Sequence, residues 1–346
     1  MKKSIWLIPA TIIIVILIIA SVVFVFTTKQ PLTFPANNNS SQSSASSQSS
    51  SETISSAASS SSAPLVTCTT YEKYDPQTKE CYYECNNDQE CAEIEAKIKS
   101  KLNGYFADVS YDKTYNEKTS PSETSQIHAF SNNQLLPAIE KPENDQVWQY
   151  FNTIASPDFT ARYLTQVGFY NNSQDTTQAS VIANQTNPAK WNLEINMAYA
   201  DNPKELIYTL VHEFYHIFTL NDTQITTSDS CTRLKTSEGC VNDTAPLQEF
   251  YTKFWKDLNA DPDTNNFGQY YPGRETDFVS EYAATNVIED FAETLTNYTL
   301  KDTSGLTGIA KQKVEFVNSI ETIKKQSIQI KANLGNEMKA TRKLQN

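Results

Sequence analysis

The sequence NPKELIYTLVHEFYHIFTL occupies residues 202–220 and decides the fold. It begins like a helix, because Asn202 can accept hydrogen bonds from free backbone amides, Pro203 suits the first helical position and Glu205 follows at the third. The residues after Glu205 are largely apolar as far as Leu220, where we expect the helix to end. Since a strand-like segment precedes it, the sequence predicts a central helix packed on a small sheet.

Two histidines in this helix, His212 and His216, stand four positions apart. That spacing projects both side chains from one face, so two imidazoles can bind one metal ion. A catalytic zinc ion takes three protein ligands and leaves a position for water, and Glu213 is placed to accept the proton of that water. Buried histidines on such helices are more often structural, but two of the chain's three stand here. We therefore predict His212 and His216 as zinc ligands and Glu213 as the catalytic base; His128, alone in a polar region, is assigned no function.

The third zinc ligand should be a carboxylate, because no histidine follows His216. The segment EYAATNVIEDFAE, residues 281–293, offers Glu289 and Glu293 four positions apart on a predicted helix. One of the two can bind zinc while the other supports a ligand histidine. Asp290 follows Glu289 in the sequence, but helical geometry turns its side chain by about 100° from the face that Glu289 and Glu293 share, and we expect it to face solvent.

The two motifs together resemble the gluzincin metallopeptidases, and among them the catalytic domain of anthrax-lethal-factor-like enzymes, which share a Tyr-x-x-Thr-Asn-x-x-Glu-x-Phe-Ala-Glu pattern. Here that pattern runs from Tyr282 to Glu293, and the resemblance covers the two motifs rather than the whole chain. It implies Glu289 as the third zinc ligand, Glu293 as the carboxylate that orients a ligand histidine, and Tyr282 as a hydroxyl that stabilises the tetrahedral oxyanion. Spacing alone would leave Tyr282 as one of 18 tyrosines with a packing role.

The interval between His216 and Glu289 is longer than gluzincins usually show. It contains Cys231 and Cys240, whose proximity in the sequence favours a disulfide bond. We therefore expect an inserted, disulfide-pinned loop near the cleft.

The predicted fold class is α+β: a zincin-like metallopeptidase domain, mainly helical with a small sheet, over residues 93–346. Aromatic and β-branched residues predict strands at 161–170 and 191–200. Residues 108–133 lack periodicity and are predicted to form a loop. Helical periodicity predicts helices at 92–102, 146–154, 246–258, 287–300 and 309–334, the last as one uninterrupted helix.

An apolar run near the N-terminus extends from Ile5 to Phe26. It is long enough to span a bilayer and has large residues where a signal peptidase would cut, so an uncleaved anchor is favoured over a cleavable signal peptide. Lys2 and Lys3 precede the run and place the N-terminus in the cytoplasm. We predict a single-pass membrane protein in which residues 1–30 form the cytoplasmic stub and transmembrane anchor and the catalytic domain is extracytoplasmic.

Two segments separate this anchor from the predicted catalytic domain. Residues 31–65 are dominated by Ser, Ala, Gln and Asn and have no apolar face to bury, which predicts a disordered tether. Residues 66–92 hold four of the six cysteines and are predicted to form a small Cys-rich module. In an oxidising compartment these cysteines suggest disulfide bonds; a zinc knuckle is the competing interpretation, but the usual paired Cys-x-x-Cys spacing is absent. The four are Cys68, Cys81, Cys85 and Cys91.

The chain is acidic, with a formal net charge of −12. No run of Lys and Arg is available to contact phosphates, so nucleic acid is not an expected partner. We predict a zinc-dependent endopeptidase that holds one zinc ion per chain, acts on a protein or peptide substrate and contacts the membrane through its N-terminal anchor. Two alternatives stay open: hydrolysis of cell-wall peptide cross-links, and a catalytically silent surface-binding module on a peptidase fold.

Overall fold

The computed structural model of the chain describes residues 68, 72–75, 80–83, 87–109, 126–227, 230–258 and 270–341, all within one compact unit, residues 63–346. The fold is mixed α and β, mainly helical with a small sheet, as predicted. Within these ranges the helices are α1 (Asp88–Tyr105), α2 (Pro142–Ile154), α3 (Pro157–Tyr163), α4 (Pro203–Leu220), α5 (Pro246–Phe254), α6 (Val287–Leu300), α7 (Gly308–Ser319) and α8 (Glu321–Thr341). The strands are β1 (Glu72–Asp75), β2 (Glu80–Tyr83), β3 (Gln126–Ser131), β4 (Gln134–Leu136), β5 (Leu164–Tyr170), β6 (Ala179–Asn184), β7 (Asn187–Asn196), β8 (Ile225–Thr226), β9 (Lys235–Thr236) and β10 (Gly239–Val241).

Five strands form the main sheet, in the order β4-β3-β5-β7-β6. β5 and β7 are parallel, and the other neighbours are antiparallel. Along β7, Trp191, Leu193 and Ile195 are buried on one face, whereas Asn192 and Glu194 on the other face are only partly covered. This alternation is typical of a strand with one face in the core. β6 is at one end of the strand order and therefore forms an edge of the sheet.

Helix α4 begins at Pro203 and ends at Leu220, as predicted. The Asn202 side chain accepts a hydrogen bond from the Glu205 amide at 3.4 Å, and Asn221 at the other end is extended and stops the helix. From Leu206 onwards nearly every side chain of α4 is buried, because α2, α6 and β6 all contact the helix. A helix that is covered on all sides passes through the core rather than lying on its surface.

Several predicted boundaries are wrong by three or four residues, including the helices predicted at 92–102 and 146–154, which begin at Asp88 and Pro142. Residues 161–163 complete helix α3, so the predicted strand at 161–170 begins at Leu164. The next predicted strand ends at Asn196, whose side chain accepts from the Ala198 amide and caps a 3₁₀ turn. The helix predicted at 246–258 ends at Phe254 and is followed by a separate 3₁₀ turn.

The single predicted helix at 309–334 is in fact two, α7 and α8. Between them Ile320 is extended, with φ −94° and ψ 110°, and its amide donates to the Val317 carbonyl at 3.2 Å. Phe316 and Ile323 are buried on either side of this break. Because the apolar periodicity continues across Ile320, the sequence pattern does not reveal the interruption.

Strand β3 lies in a segment that was predicted to be a loop. It pairs with both β4 and β5. In this strand the polar His128 is buried, whereas the apolar Ile127 is 53% exposed, which is the reverse of what their side chains would suggest. Pairing with neighbouring strands thus overrides the local pattern. Residues 110–125 of the predicted loop lie outside the described ranges.

Asp290 is fully buried, which corrects the prediction that it faces solvent. Its carboxylate lies 2.5 Å from the Lys313 ammonium and accepts a hydrogen bond from the Trp255 indole at 2.6 Å. Lys313 also donates to the Asp277 carbonyl at 2.7 Å and lies 4.2 Å from the centroid of the Phe278 ring. The side chain does point away from the Glu289 face, but α7 packs on that side of α6 and replaces solvent with a counterion.

Disulfide bonds join Cys231 to Cys240, as predicted, and Cys68 to Cys81. Cys91 is also disulfide-bonded. The zinc-knuckle interpretation is therefore wrong for these cysteines, whose sulfurs are bonded to one another instead of to a metal. The Cys231–Cys240 bond pins a three-stranded sheet in the order β8-β10-β9, which follows helix α4 directly. Its predicted position near the cleft stays a prediction, as do the boundaries at residues 30, 65 and 92.

The hairpin of β1 and β2 packs against the last helix. The Asn336 side chain of α8 accepts from the Tyr83 amide at 2.5 Å and donates to the Tyr83 carbonyl at 3.2 Å. Helix α1 is joined to the same helix by an ion pair between Glu95 and the buried Lys331 at 2.5 Å. α8 thus connects the first described elements to the core.

Within the described ranges, no helix combines the length and the apolarity that a membrane crossing requires. The predicted anchor, residues 1–30, and the predicted tether, residues 31–65, lie outside these ranges.

Replacing Lys313 with Met should lower the free energy of unfolding by about 3–5 kcal/mol, because it leaves the Asp290 carboxylate buried without its counterion. Urea unfolding of the metal-free protein measures the change. Lys325→Met is the matched control: Lys325 lies 3.9 Å from Glu321 on the exposed side of α8, where such pairs contribute about 0.3–0.5 kcal/mol. Equal effects of the two substitutions would contradict a stabilising buried pair.

Candidate metal centre

Helix α4 presents His212 and His216 on one face, with both side chains buried. Their Nε2 atoms lie 2.8 Å apart. Helix α6 brings Glu289 to the same point, where its Oε2 atom is 3.0 Å from His212 Nε2 and 3.3 Å from His216 Nε2. Two nitrogens and one oxygen from two helices therefore converge within hydrogen-bond distance of one another.

These three residues fit a zinc ion. All candidate ligand atoms lie within 4.8 Å of one another. Zinc binds nitrogen and oxygen ligands at about 2.0–2.1 Å in tetrahedral geometry, which separates two ligand atoms by about 3.3 Å. The measured separations of 2.8, 3.0 and 3.3 Å are close to that value. Two histidines and one carboxylate also match a known catalytic zinc set that keeps a fourth position for water.

The position of Glu289 is set by the start of α6. The Asn286 side chain accepts hydrogen bonds from the amides of Ile288 and Glu289, each at 2.9 Å, and so caps the helix. The cap begins the helix at Val287 and puts Glu289 in its first turn, where the helix dipole favours a negative charge. The capping role of Asn286 was not predicted, although an Asn immediately before a predicted helix is a usable signal.

Glu213 lies beside the two histidines and is buried. Its Oε2 atom accepts a hydrogen bond from the Val181 amide of β6 at 2.9 Å. Burial raises the pKa of the Glu213 carboxyl, although the neighbouring histidines oppose the shift. Val181 was not predicted, because its contribution is a backbone amide that any residue of an edge strand could supply.

Glu293 is fully buried one turn after Glu289 on α6. Its Oε1 atom lies 3.0 Å from His212 Nδ1, on the ring nitrogen opposite to the one that faces Glu289. The two carboxylates therefore contact the two sides of one imidazole. The roles that the resemblance implied, Glu289 as a zinc ligand and Glu293 as the carboxylate that orients the histidine, stay predictions.

Tyr282 lies in a 3₁₀ turn, Tyr282–Ala284, shortly before α6. Its ring centroid is 5.8 Å from that of His212, so the aromatic ring borders the cluster. The structure thus brings together all six residues selected from the sequence: His212, Glu213, His216, Tyr282, Glu289 and Glu293.

His128 lies away from this cluster and has a structural environment. Its Nδ1 atom is 2.6 Å from the Pro137 carbonyl, and its ring packs edge-on against Phe169 with centroids 5.7 Å apart.

The metal-free site binds protons tightly. Burial lowers the pKa of His212, but contacts with Glu289 and Glu293 outweigh it and raise the pKa to about 10. Burial alone would raise the pKa of Glu289. The contacts with His216 and His212 have the larger effect and hold this pKa well below its usual range. A cation can bind His212 only after displacing the Nε2 proton.

Zinc affinity should therefore rise with pH between 6 and 8, by about tenfold per pH unit if one proton is displaced per ion. The sign follows from His212, which keeps its proton below pH 10 in the metal-free protein and must lose it to bind zinc. Competition with a chelator of known proton affinity measures the dissociation constant at each pH. A constant affinity over this interval would show that His212 holds no displaceable proton.

No protein-family model matches the chain, and no curated protein matches it. Among solved structures, the crystal structure of "a putative zinc-binding metallo-peptidase from Bacteroides caccae" aligns with 12% sequence identity over 76% of this chain and 98% of that chain, with a TM-score of 0.36. At this degree of similarity the likeness supports no conclusion about activity, which has to be argued from the cluster itself.

Proposed function

We propose that this chain is a zinc-dependent endopeptidase with one zinc ion per chain, bound by His212, His216 and Glu289. The observation that carries the proposal is the convergence of these three ligand atoms within 4.8 Å, with the carboxylate of Glu213 beside them. A metal site alone could be structural, but structural zinc sites usually use four protein ligands. Three ligands next to a buried acid favour a catalytic site.

Zinc, when bound, lowers the pKa of a water molecule and polarises the carbonyl of a substrate. Glu213 accepts a proton from the attacking water and passes it to the leaving nitrogen. The Val181 amide holds one oxygen of Glu213 in place for this transfer. The Tyr282 hydroxyl donates a hydrogen bond to the oxyanion that develops on the carbonyl. No covalent enzyme intermediate is needed.

The position of β6 favours a peptide as the substrate. The Val181 amide points away from β7 and towards Glu213, so the open edge of β6 faces the candidate site. The open edge of a strand presents backbone donors and acceptors that an extended peptide can pair with. A peptide bound along β6 would run past Glu213, which is the geometry that cleavage within a chain requires.

The resemblance to gluzincins, and to anthrax-lethal-factor-like enzymes among them, belongs to this proposal. It is supported by Glu289 and Glu293, which contact opposite nitrogens of His212 from one face of α6. The same pattern supplies Tyr282 next to His212. The rest of the chain adds no further support for this family.

We also propose a single-pass anchor at residues 1–30 with an extracytoplasmic catalytic domain. The apolar run Ile5–Phe26 supports the anchor. The disulfide bonds Cys68–Cys81 and Cys231–Cys240 support an oxidising compartment for the rest of the chain, because such bonds rarely persist in the cytosol.

Glu213→Gln should reduce kcat by about 10²–10⁴-fold, because the attacking water loses its base. Tyr282→Phe should reduce it by about 10²–10³-fold through loss of an oxyanion donor. Both variants should keep one zinc ion per chain by elemental analysis, since neither residue is a proposed ligand. Cleavage is measured with the full-length chain on a mixed peptide library and, in parallel, on purified cell-wall peptide.

Glu249→Gln and Tyr298→Phe are matched controls for these two variants. Glu249 pairs with Lys253 on the surface, and the Tyr298 hydroxyl contacts Asn318, so neither is near the cluster. Zinc without cleavage of either substrate would favour the silent binding module, and cleavage of wall peptide alone would favour the cell-wall hydrolase. A wild-type chain that binds no zinc would contradict the metal site itself.

The full-length chain should sediment with membranes and stay there after alkaline carbonate extraction, because an apolar span of this length partitions into the bilayer. Deletion of residues 1–30 should release it into the soluble fraction. Retention of the deleted form in the membrane fraction would contradict the proposed anchor.

A further inference from the structure

Glu293 accepts hydrogen bonds from more groups than His212 alone. The Ser280 hydroxyl lies 2.5 Å from Glu293 Oε2. The Tyr208 hydroxyl lies 3.3 Å from Oε2 and 3.4 Å from Oε1. The Asn297 amide nitrogen is 3.5 Å from Oε2 and also contacts Tyr208. These three residues come from three different elements: the segment before the Tyr282 turn, α4 and α6.

The direction of the two hydroxyl hydrogens can be deduced from their other contacts. Asn297 Nδ2 donates to the Tyr208 oxygen at 2.9 Å, so the hydroxyl hydrogen of Tyr208 is left to point at Glu293. In the same way the Ala283 amide donates to the Ser280 oxygen at 3.1 Å, which leaves the Ser280 hydrogen for Glu293. A hydroxyl has one hydrogen and can accept as well as donate, so each oxygen here accepts from nitrogen and donates to the carboxylate.

The consequence for His212 concerns its tautomer. With hydroxyl donors already aimed at both of its oxygens, Glu293 acts as an acceptor towards its surroundings, and the contact with His212 Nδ1 is satisfied only if that nitrogen carries the hydrogen. Nε2 is then the ring nitrogen left for a metal, on the side that faces Glu289 and His216. A hydrogen bond on one ring nitrogen determines which nitrogen is available to a metal.

We propose that Ser280 and Tyr208 are positioning residues that hold Glu293 as the acceptor for His212 Nδ1 and thereby orient Nε2 of His212 towards the metal. This inference rests on the proposed zinc site. Ser280 contributes more than Tyr208 to holding Glu293, because its contact of 2.5 Å is much shorter than the bifurcated contacts of Tyr208 at 3.3 and 3.4 Å.

Ser280 also connects this arrangement to Tyr282. Its oxygen accepts the Ala283 amide within the 3₁₀ turn that carries Tyr282, while its hydrogen goes to Glu293. One side chain thus fixes the turn of the proposed oxyanion donor to the carboxylate behind the zinc ligand. The Ser280→Ala variant removes both attachments, whereas Tyr208→Phe removes the contacts with Glu293 and Asn297 and leaves the turn of Tyr282 attached.

The experiment measures zinc affinity of the full-length chain by chelator competition. Loss of a group that supports a ligand histidine typically weakens metal binding by about 10–100-fold. We expect Ser280→Ala to weaken zinc binding by at least about tenfold, Tyr208→Phe to weaken it less, and Ser280→Thr, which keeps a hydroxyl, to restore most of the affinity. The free energy of unfolding of each metal-free variant is measured alongside.

Two matched controls separate positioning from packing. Tyr215→Phe removes a buried hydroxyl from the same helix, one that contacts Thr299 at 2.6 Å instead of Glu293. Ser327→Ala removes a buried hydroxyl with no hydrogen-bond partner among the described residues. Both controls should leave the zinc dissociation constant within about twofold of wild type, whatever they do to the stability of the metal-free protein.

Three results would overturn the inference. Equal zinc affinity of Ser280→Ala, Tyr208→Phe and the two controls would show that the hydroxyls only pack. Weak binding by Ser280→Thr as well as Ser280→Ala, with both folded, would show that the hydroxyl is not the cause. A wild-type chain that binds no zinc would remove the proposed function and this inference with it, and is distinguished from the other two by the wild-type measurement alone.

Discussion

The contact between the His212 ring and the Glu293 carboxylate, 3.0 Å long and fully buried, is the interaction on which the candidate site depends. It joins α4, which carries both histidines, to α6, which carries Glu289. A buried carboxylate is costly unless its oxygens are hydrogen-bonded, and hydroxyl and amide groups from three elements supply those bonds. Because the polar groups between the two helices are already hydrogen-bonded, apolar packing can hold α4 and α6 together without leaving a buried polar group unpaired at this position.

Glu289 and Asp290 show how one helical step separates two chemically similar side chains. The first faces two imidazoles and the second faces Lys313, so each carboxylate has a partner on its own side of α6. Burial raises the pKa of the Asp290 carboxyl, and the contacts with Lys313 and Trp255 oppose that shift. The pair anchors α7 to α6 one residue after Glu289.

The parts that could be predicted from the sequence are those determined by nearby residues. The bounds of α4 and α6 were correct because Asn202 with Pro203, and the segment leading to Val287, mark the helix starts locally. Five of the six proposed site residues were selected from their spacing on two predicted helices, which is a local property, whereas Tyr282, in a 3₁₀ turn, was selected only through the resemblance. The burial of Asp290 and strand β3 were missed because each depends on an element that is distant in the sequence. The break at Ile320 was missed because the apolar periodicity continues across it. Val181 was missed because its backbone amide, not its side chain, contacts Glu213.

The distribution of buried polar groups argues for chemistry at this position. Tyr208, Thr209, His212, Glu213 and His216 are buried along the middle of α4, and Glu293 and Asn297 face them from α6. Replacement of such a cluster by well-packed apolar residues is often neutral or stabilising, so the stability of the fold gives no reason for it. A protein keeps groups that break the local rules of core composition where function requires them. The same argument counts against a silent binding module, because imidazoles and carboxylates that are buried between two helices cannot contact a partner at the protein surface.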